Sequence, residues 1–96
     1  MDVLVTYDIA TTKPAGERRL ASVAKVCEGY GTRVQYSVFE CRVSGTALAK
    51  MLRELADEIE PSEDSITIYR FPGILAENRL SLGRGPLREP GQPWII

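Results

Sequence analysis

The sequence predicts a single small α+β domain, with one antiparallel sheet covered on one face by two helices. Three observations carry this. Two segments repeat apolar residues every three to four positions, as a helix facing a core does. Three others are short, rich in β-branched and aromatic residues, and alternate in polarity. Their order is strand, helix, paired strands, helix, strand, which lays both helices on one side of a sheet. The chain has 96 residues. That is enough for one thin core, so a second copy is a natural source of further burial.

The first strand is Val3-Leu4-Val5-Thr6-Tyr7-Asp8, dense in strand-forming residues. The loop Ala10-Thr11-Thr12-Lys13 ends it, and Pro14 suits the first turn of a helix. From about Ala15 to Glu28 the apolar set Leu20, Val23, Ala24 and Cys27 falls on one helical face. Lys13, Glu17, Arg18 and Lys25 lie largely away from it. Gly29 and Gly31 are expected to stop this helix.

The segment Thr32 to Val43 changes phase. Val34, Tyr36 and Val38 share one parity, whereas Phe39, Cys41 and Val43 share the other. One regular strand cannot turn both sets inward. The segment must bulge near Ser37-Val38 or split into two strands. Ser44 is placed to cap a second helix over Gly45 to Ile59, whose inward stripe is Leu48, Met51, Leu52, Leu55 and Ile59. Pro61 to Asp64 form a loop, and Ser65 to Arg70 alternate as the last regular strand.

The order is β-α-β-β-α-β, the ferredoxin-like arrangement, over residues 1–73. Residues 74–96 form a tail interrupted by Gly83, Gly85, Pro86, Pro90, Gly91 and Pro93. It closes on Trp94-Ile95-Ile96, a β-prone end that reads as a short extra strand docking on a sheet edge. The sheet face without helices needs a cover, and a second copy of the chain could supply one.

Composition narrows the function. Net charge is −1, so the chain as a whole is not a basic nucleic-acid binder. The distribution is uneven: residues 13–42 carry six Lys or Arg against three Glu, residues 43–69 two against six acids, and residues 70–96 four against two. Two basic thirds flank an acidic one, so one face can attract phosphate while another repels it. The sequence contains no histidine, which removes His-based triads and His-ligated metals. Hydrolysis would have to rest on carboxylates and a metal. Cys27 and Cys41 lack a paired motif and fall at inward positions, as expected of core thiols in a reducing cytoplasm. No signal peptide or membrane-spanning stretch is read.

Asp8 is the residue with chemical promise. A carboxylate at the carboxyl end of a buried strand is held rigidly at a sheet edge, where α/β proteins place sites. Its hard oxygens suit Mg²⁺. Arg18 and Arg19 follow on the first helix and suit phosphate.

These residues resemble a known family. Tyr7-Asp8-Ile9 closing the first strand, Arg18-Arg19 on the helix, and the long run from Tyr30-Gly31-Thr32-Arg33-Val34-Gln35-Tyr36 through Ser37-Val38-Phe39-Glu40-Cys41 are similar to the CRISPR-associated protein 2 family. Asp64-Ser65-Ile66 opening the last strand fits as well. The resemblance covers roughly residues 1–71. The arginine-bearing tail resembles the variant of type I subtype C systems.

The resemblance implies a homodimer packed sheet to sheet, with the tail strand of one chain added to the sheet of the other. It implies a role in acquiring new spacers beside the CRISPR-associated protein 1 integrase, on double-stranded DNA. Several family members are also metal-dependent endonucleases on RNA or double-stranded DNA. The family's metal-binding aspartate corresponds to Asp8, the expected catalytic residue and ligand of Mg²⁺ or Mn²⁺. One carboxylate is a poor Mg²⁺ site, but a twofold would pair two copies. Two bare carboxylates held close repel, so metal or proton uptake would be coupled to dimerisation. Arg18, Arg19, Arg33 and Arg42 are the expected nucleic-acid contacts, and Ser37 and Phe39 are expected near the site. Two other readings stand beside the nuclease: a non-catalytic DNA-binding adaptor of the integrase complex, and a ferredoxin-like regulatory domain for a small ligand. The family's second acid soon after the metal aspartate is replaced here by Thr11 and Thr12.

Overall fold

The computed structural model describes residues 1–83. Within them the chain runs β1 (Asp2–Asp8), α1 (Pro14–Glu28), β2 (Gly31–Gln35), β3 (Val38–Arg42), α2 (Gly45–Glu58) and β4 (Ser65–Phe71). The four strands form one sheet in the order β2-β3-β1-β4, with every neighbouring pair antiparallel. This is the expected ferredoxin-like architecture.

The alternation of β1 divides the sheet into two faces. Val3, Val5 and Tyr7 are buried and pair with Cys41, Phe39, Arg70, Ile68 and Ile66 of its neighbours. With Val23 and Cys27 of α1 and Met51 and Leu55 of α2 they make the core. Leu4, Thr6 and Asp8 point the other way, alongside Val38, Thr67 and Tyr69. The helical stripes fall as expected with one exception. Leu52 is 44 % exposed, because it stands at the flank of the α2 stripe while Leu48, Met51 and Leu55 take the sheet-facing positions.

The helix ends follow local chemistry. Ser44 caps α2, its Oγ accepting from the Ala47 N–H at 3.1 Å. Pro14 stands in the first turn of α1, where its missing N–H costs nothing. Gly29 ends α1 without a left-handed turn: it stays right-handed at φ −73°. Gly31 is needed for a different reason, since a Cβ there would lie 2.3 Å from the Glu40 carbonyl oxygen across the β2–β3 pair.

The phase change is resolved twice over. The segment splits into β2 and β3 around a turn at Tyr36-Ser37, and the register shifts between Arg33 and Gln35, leaving Val34 as the extra residue. The start of the tail is more ordered than its composition suggests. Leu75–Asn78 form a 3-10 turn, with Leu75 buried and its N–H donating to Asp2 Oδ2 at 2.9 Å. Arg79 Nε donates to Glu40 Oε2 at 3.0 Å. The expected docking strand at Trp94-Ile95-Ile96 lies outside the described residues. No helix among the described residues is long and apolar enough to cross a membrane.

Candidate functional site

Asp8 ends β1 on the helix-free face of the sheet, opposite Ser65 at the start of β4. It is exposed. Among the described residues no hydrogen bond or ion pair engages its carboxylate. Its lone pairs therefore remain available to a hard cation or a proton. Among the described residues no group of three or more acidic, cysteine or histidine side chains converges. At this strand end one chain thus offers a single carboxylate, whose oxygens have the chemistry a hard cation takes.

The backbone beneath Asp8 is held from both sides. Toward β3, the Tyr7 N–H donates to the Ser37 carbonyl at 3.1 Å. The Tyr7 hydroxyl donates to the Tyr36 carbonyl at 3.2 Å. Both carbonyls of the β2–β3 turn are thus fastened to the residue before Asp8, which brings Ser37 beside the strand end. Tyr36 itself is 82 % exposed at that turn. Phe39 is fully buried below it and stacks on Tyr7 with centroids 6.2 Å apart. Phe39 is therefore a packing residue under the site. Burial pushes the Tyr7 phenol above its usual range, partly offset by Arg33.

Toward β4, Asp64 is the main support, and the sequence reading missed its role. Its side chain is wholly buried. It accepts from the Ala10 N–H at 3.0 Å and the Glu60 N–H at 2.8 Å. Arg19 grips it with two donors, Nε at 2.7 Å and Nη2 at 3.3 Å. The Arg19 guanidinium, with the two backbone donors, holds the Asp64 carboxyl down at about 2. The signal that could have found it is an acid at the foot of β4, directly before the register partner of Asp8.

Among the described residues none of the four arginines is paired with Asp8. Arg18 is exposed on α1. Arg19 is committed to Asp64, with Glu63 at 3.6 Å. Arg33 pairs opposite Phe39, so it lies on the helix-side face, its guanidinium carbon 5.2 Å from the Phe39 ring centre. Glu28 lies 3.9 Å from it. Arg42 stands opposite Asp2 at the far end of β1, roughly 20 Å from Asp8 at the rise of an extended strand. Its Nε donates to Asp2 Oδ1 at 2.8 Å, yet its side chain remains 69 % exposed.

Comparison with known proteins bears on the family and the fold. Residues 1–74 match the family described as CRISPR associated protein Cas2. The chain is 50 % identical over 96 residues to the CRISPR-associated endonuclease Cas2 of Halalkalibacterium halodurans, covering all of both chains. It is 51 % identical over 69 residues to the CRISPR-associated endoribonuclease Cas2 of Chlorobaculum tepidum, covering 72 % of each. The crystal structure of Streptococcus pyogenes Cas2 at pH 6.5 superposes with a TM-score of 0.80 at 43 % identity, over 86 % of this chain and all of that one. A shared fold, an aligned full length and identity at this level leave one assignment: the chain belongs to the Cas2 family of CRISPR-associated proteins.

Proposed function

We propose that this protein is a metal-dependent endonuclease of CRISPR adaptation, built as a homodimer whose two Asp8 carboxylates share one divalent ion. The observation that supports this is Asp8 itself, an exposed acid on a rigid strand end with no protein partner among the described residues. Relatives named as endonuclease and endoribonuclease support the reaction class. Mg²⁺ or Mn²⁺ fits the hard oxygens, and the ion's contribution when bound is to polarise the phosphodiester and acidify water.

The chain's own residues do the rest. Asp8 holds the ion, with Ser37 beside it at the β2–β3 turn. The open face of Leu4, Thr6, Val38, Thr67 and Tyr69 is the surface a second copy would cover, sheet to sheet, with the twofold bringing Asp8 to its mate. Arg18, exposed on α1, is the assigned phosphate contact nearest in sequence to Asp8. Arg42 serves the nucleic acid further along, where most of its side chain is open to solvent. The dimer would work in the cytoplasm, whose reducing conditions suit two free buried thiols. Its partner in spacer acquisition is the CRISPR-associated protein 1 integrase, and its ligand is double-stranded DNA, with RNA a second substrate.

The scatter of the arginines favours a second reading. Arg42 lies far from Asp8, a layout that suits a DNA-holding adaptor better than a compact catalytic centre.

The test uses labelled double-stranded DNA and single-stranded RNA with purified wild type and Asp8→Ala, in MgCl₂ and in EDTA. Cleavage by the wild type in MgCl₂ alone, lost in the variant, supports the nuclease. Equal cleavage by both proteins, or none by either while spacer acquisition in cells is intact, favours the adaptor.

A further inference from the structure

We propose that Asp64, Arg19 and Gly16 form a latch on Ala10 that holds Asp8 in its metal-receiving position, so that Arg19 is a positioning residue rather than a phosphate contact. The inference rests on the assignment of Asp8 as the metal ligand.

The chain leaving β1 has only one residue between Asp8 and Ala10. Ala10 is bonded at its N–H and closely packed at its carbonyl. Its N–H donates to Asp64 Oδ1 at 3.0 Å. Its carbonyl oxygen lies where a Cβ on Gly16 would be, 1.8 Å from that position. Any side chain at 16 would therefore drive the loop away from α1. Asp64 is in turn fixed by donors from three elements: the Ala10 N–H, the Glu60 N–H before β4, and two N–H groups of Arg19 on α1. Both carboxylate oxygens are used, Oδ1 by Ala10 and Arg19 Nη2, Oδ2 by Glu60 and Arg19 Nε.

The residue after Asp64 is Ser65, the register partner of Asp8. The latch thus ties together the end of β1, the start of β4 and the first turns of α1 at the one point where the strand stops being held by its ladder. An exposed acid has no packing of its own to fix it. Its backbone is held by the Tyr7 bonds before it and by the buried Ile9 after it, and the Ala10 anchor completes that restraint where the strand ends. Side chains act as catalytic supports in this way when their own geometry is locked by neighbours.

The latch and the phosphate-contact readings of Arg19 predict opposite results. Asp64→Asn keeps the shape but not the acceptors. Whichever way the amide is turned, an NH₂ group faces the Ala10 N–H or the Glu60 N–H. The experiment measures Mn²⁺ binding to the full-length dimer without nucleic acid, by the loss of the free-ion electron paramagnetic resonance signal. Alongside it, duplex DNA affinity is measured in EDTA, and amide exchange reports that each variant is folded. Asp8→Ala sets the signal for loss of the site.

The latch predicts that Asp64→Asn and Arg19→Gln each raise the Mn²⁺ dissociation constant by roughly tenfold, the lower range for groups supporting a metal's ligands. The double variant is no worse than either, Gly16→Ala behaves alike, Arg19→Lys recovers part of the loss, and DNA affinity in EDTA is unchanged. Should Asp64→Asn fail to fold, the Arg19→Gln and Arg19→Lys pair decides by the same readout. Wild-type Mn²⁺ affinity in a folded Asp64→Asn or Arg19→Gln protein overturns the latch while leaving Asp8 in place. So does the opposite DNA pattern, with Arg19→Gln weakening duplex binding and Asp64→Asn, which frees the guanidinium, strengthening it. Mn²⁺ binding that Asp8→Ala does not disturb overturns the metal assignment, and the latch with it.

Discussion

Asp2 and Asp8 stand at opposite ends of one strand, on the same face of the sheet, and they are employed in opposite ways. Asp2 is buried, gripped by Arg42 at 2.8 and 3.3 Å, and bonded by the Leu75 N–H. The Arg42 hydrogen bond, with that backbone donor, pulls its carboxyl down to about 2. Asp8 is exposed, and no group among the described residues engages it. The Asp2 end is closed by the chain's own tail, whereas the Asp8 end is left open but stiffened from beneath by Tyr7, Phe39 and Asp64. An acid whose acceptor sites are filled by the protein is part of the fold. An acid held on a restrained strand end with no protein partner among the described residues keeps its acceptors for other chemistry, which is what the proposed function uses.

The sharpest way to break this contrast is to remove each acid in turn. If the proposed function holds, Asp8→Ala should lower metal-dependent cleavage by about a thousandfold or more, since it would delete the ion's ligand. Its melting temperature should stay close to wild type, as for other exposed positions. Asp2→Ala should do the reverse, lowering the melting temperature while cleavage per folded molecule persists. Exchanged phenotypes would sink the comparison.

The next effect is on packing. Phe39→Ala should destabilise the fold by about 3–5 kcal/mol in urea denaturation, the range for a buried aromatic. Because Phe39 stacks on Tyr7, the Tyr7 N–H and its bond to Ser37 should lose protection from amide exchange more than the Asp2 end does. Uniform loss across the sheet would show that the Asp8 end has no separate support.

Acid provides a milder probe. Asp2 and Asp64 both have carboxyls lowered from 3.8 to about 2 in the fold. A lowered folded value means that the unfolded chain binds protons first. Their contribution is therefore present above about 4 and disappears as pH falls toward 2. The melting temperature of the wild type should fall across that window, and Asp2→Asn should flatten part of the fall. A melting temperature independent of pH there would contradict the ion-pair account of both acids. The smallest effect belongs to a site remote from either end. Ser44→Ala removes the α2 cap and should cost about 1 kcal/mol with cleavage unchanged.

Much of this architecture was legible in the sequence, for physical reasons that differ by element. The α1 and α2 stripes could be read because helix burial repeats along neighbouring residues, and only Leu52 at the flank of a stripe escaped. The split of β2 from β3 could be read because Val34 and Phe39 cannot both face inward on one strand. The bulge at Val34 itself depends on pairing with β3 and could not be located from one strand alone. Asp8 was legible as a strand-ending acid.

Its supports were hidden by distance along the chain. Arg19 and Asp64 are 45 positions apart, and Asp2 and Leu75 are 73 apart. Read singly, Arg19 and Arg42 look like free cations for phosphate, and only the fold shows the acids that face them. The 3-10 turn at Leu75–Asn78 was masked by a tail composition that argues against regular structure, because what fixes it is a bond to Asp2 rather than local propensity.

The most direct measurement is a crystal structure of the Mn²⁺-loaded protein at neutral pH, with the ion placed by its anomalous scattering. The account predicts a sheet-to-sheet dimer and one ion on its twofold axis, bound by Asp8 from each copy, while Asp2 and Asp64 keep their arginines. An ion bound elsewhere, or two Asp8 side chains held too far apart to share one, would contradict it.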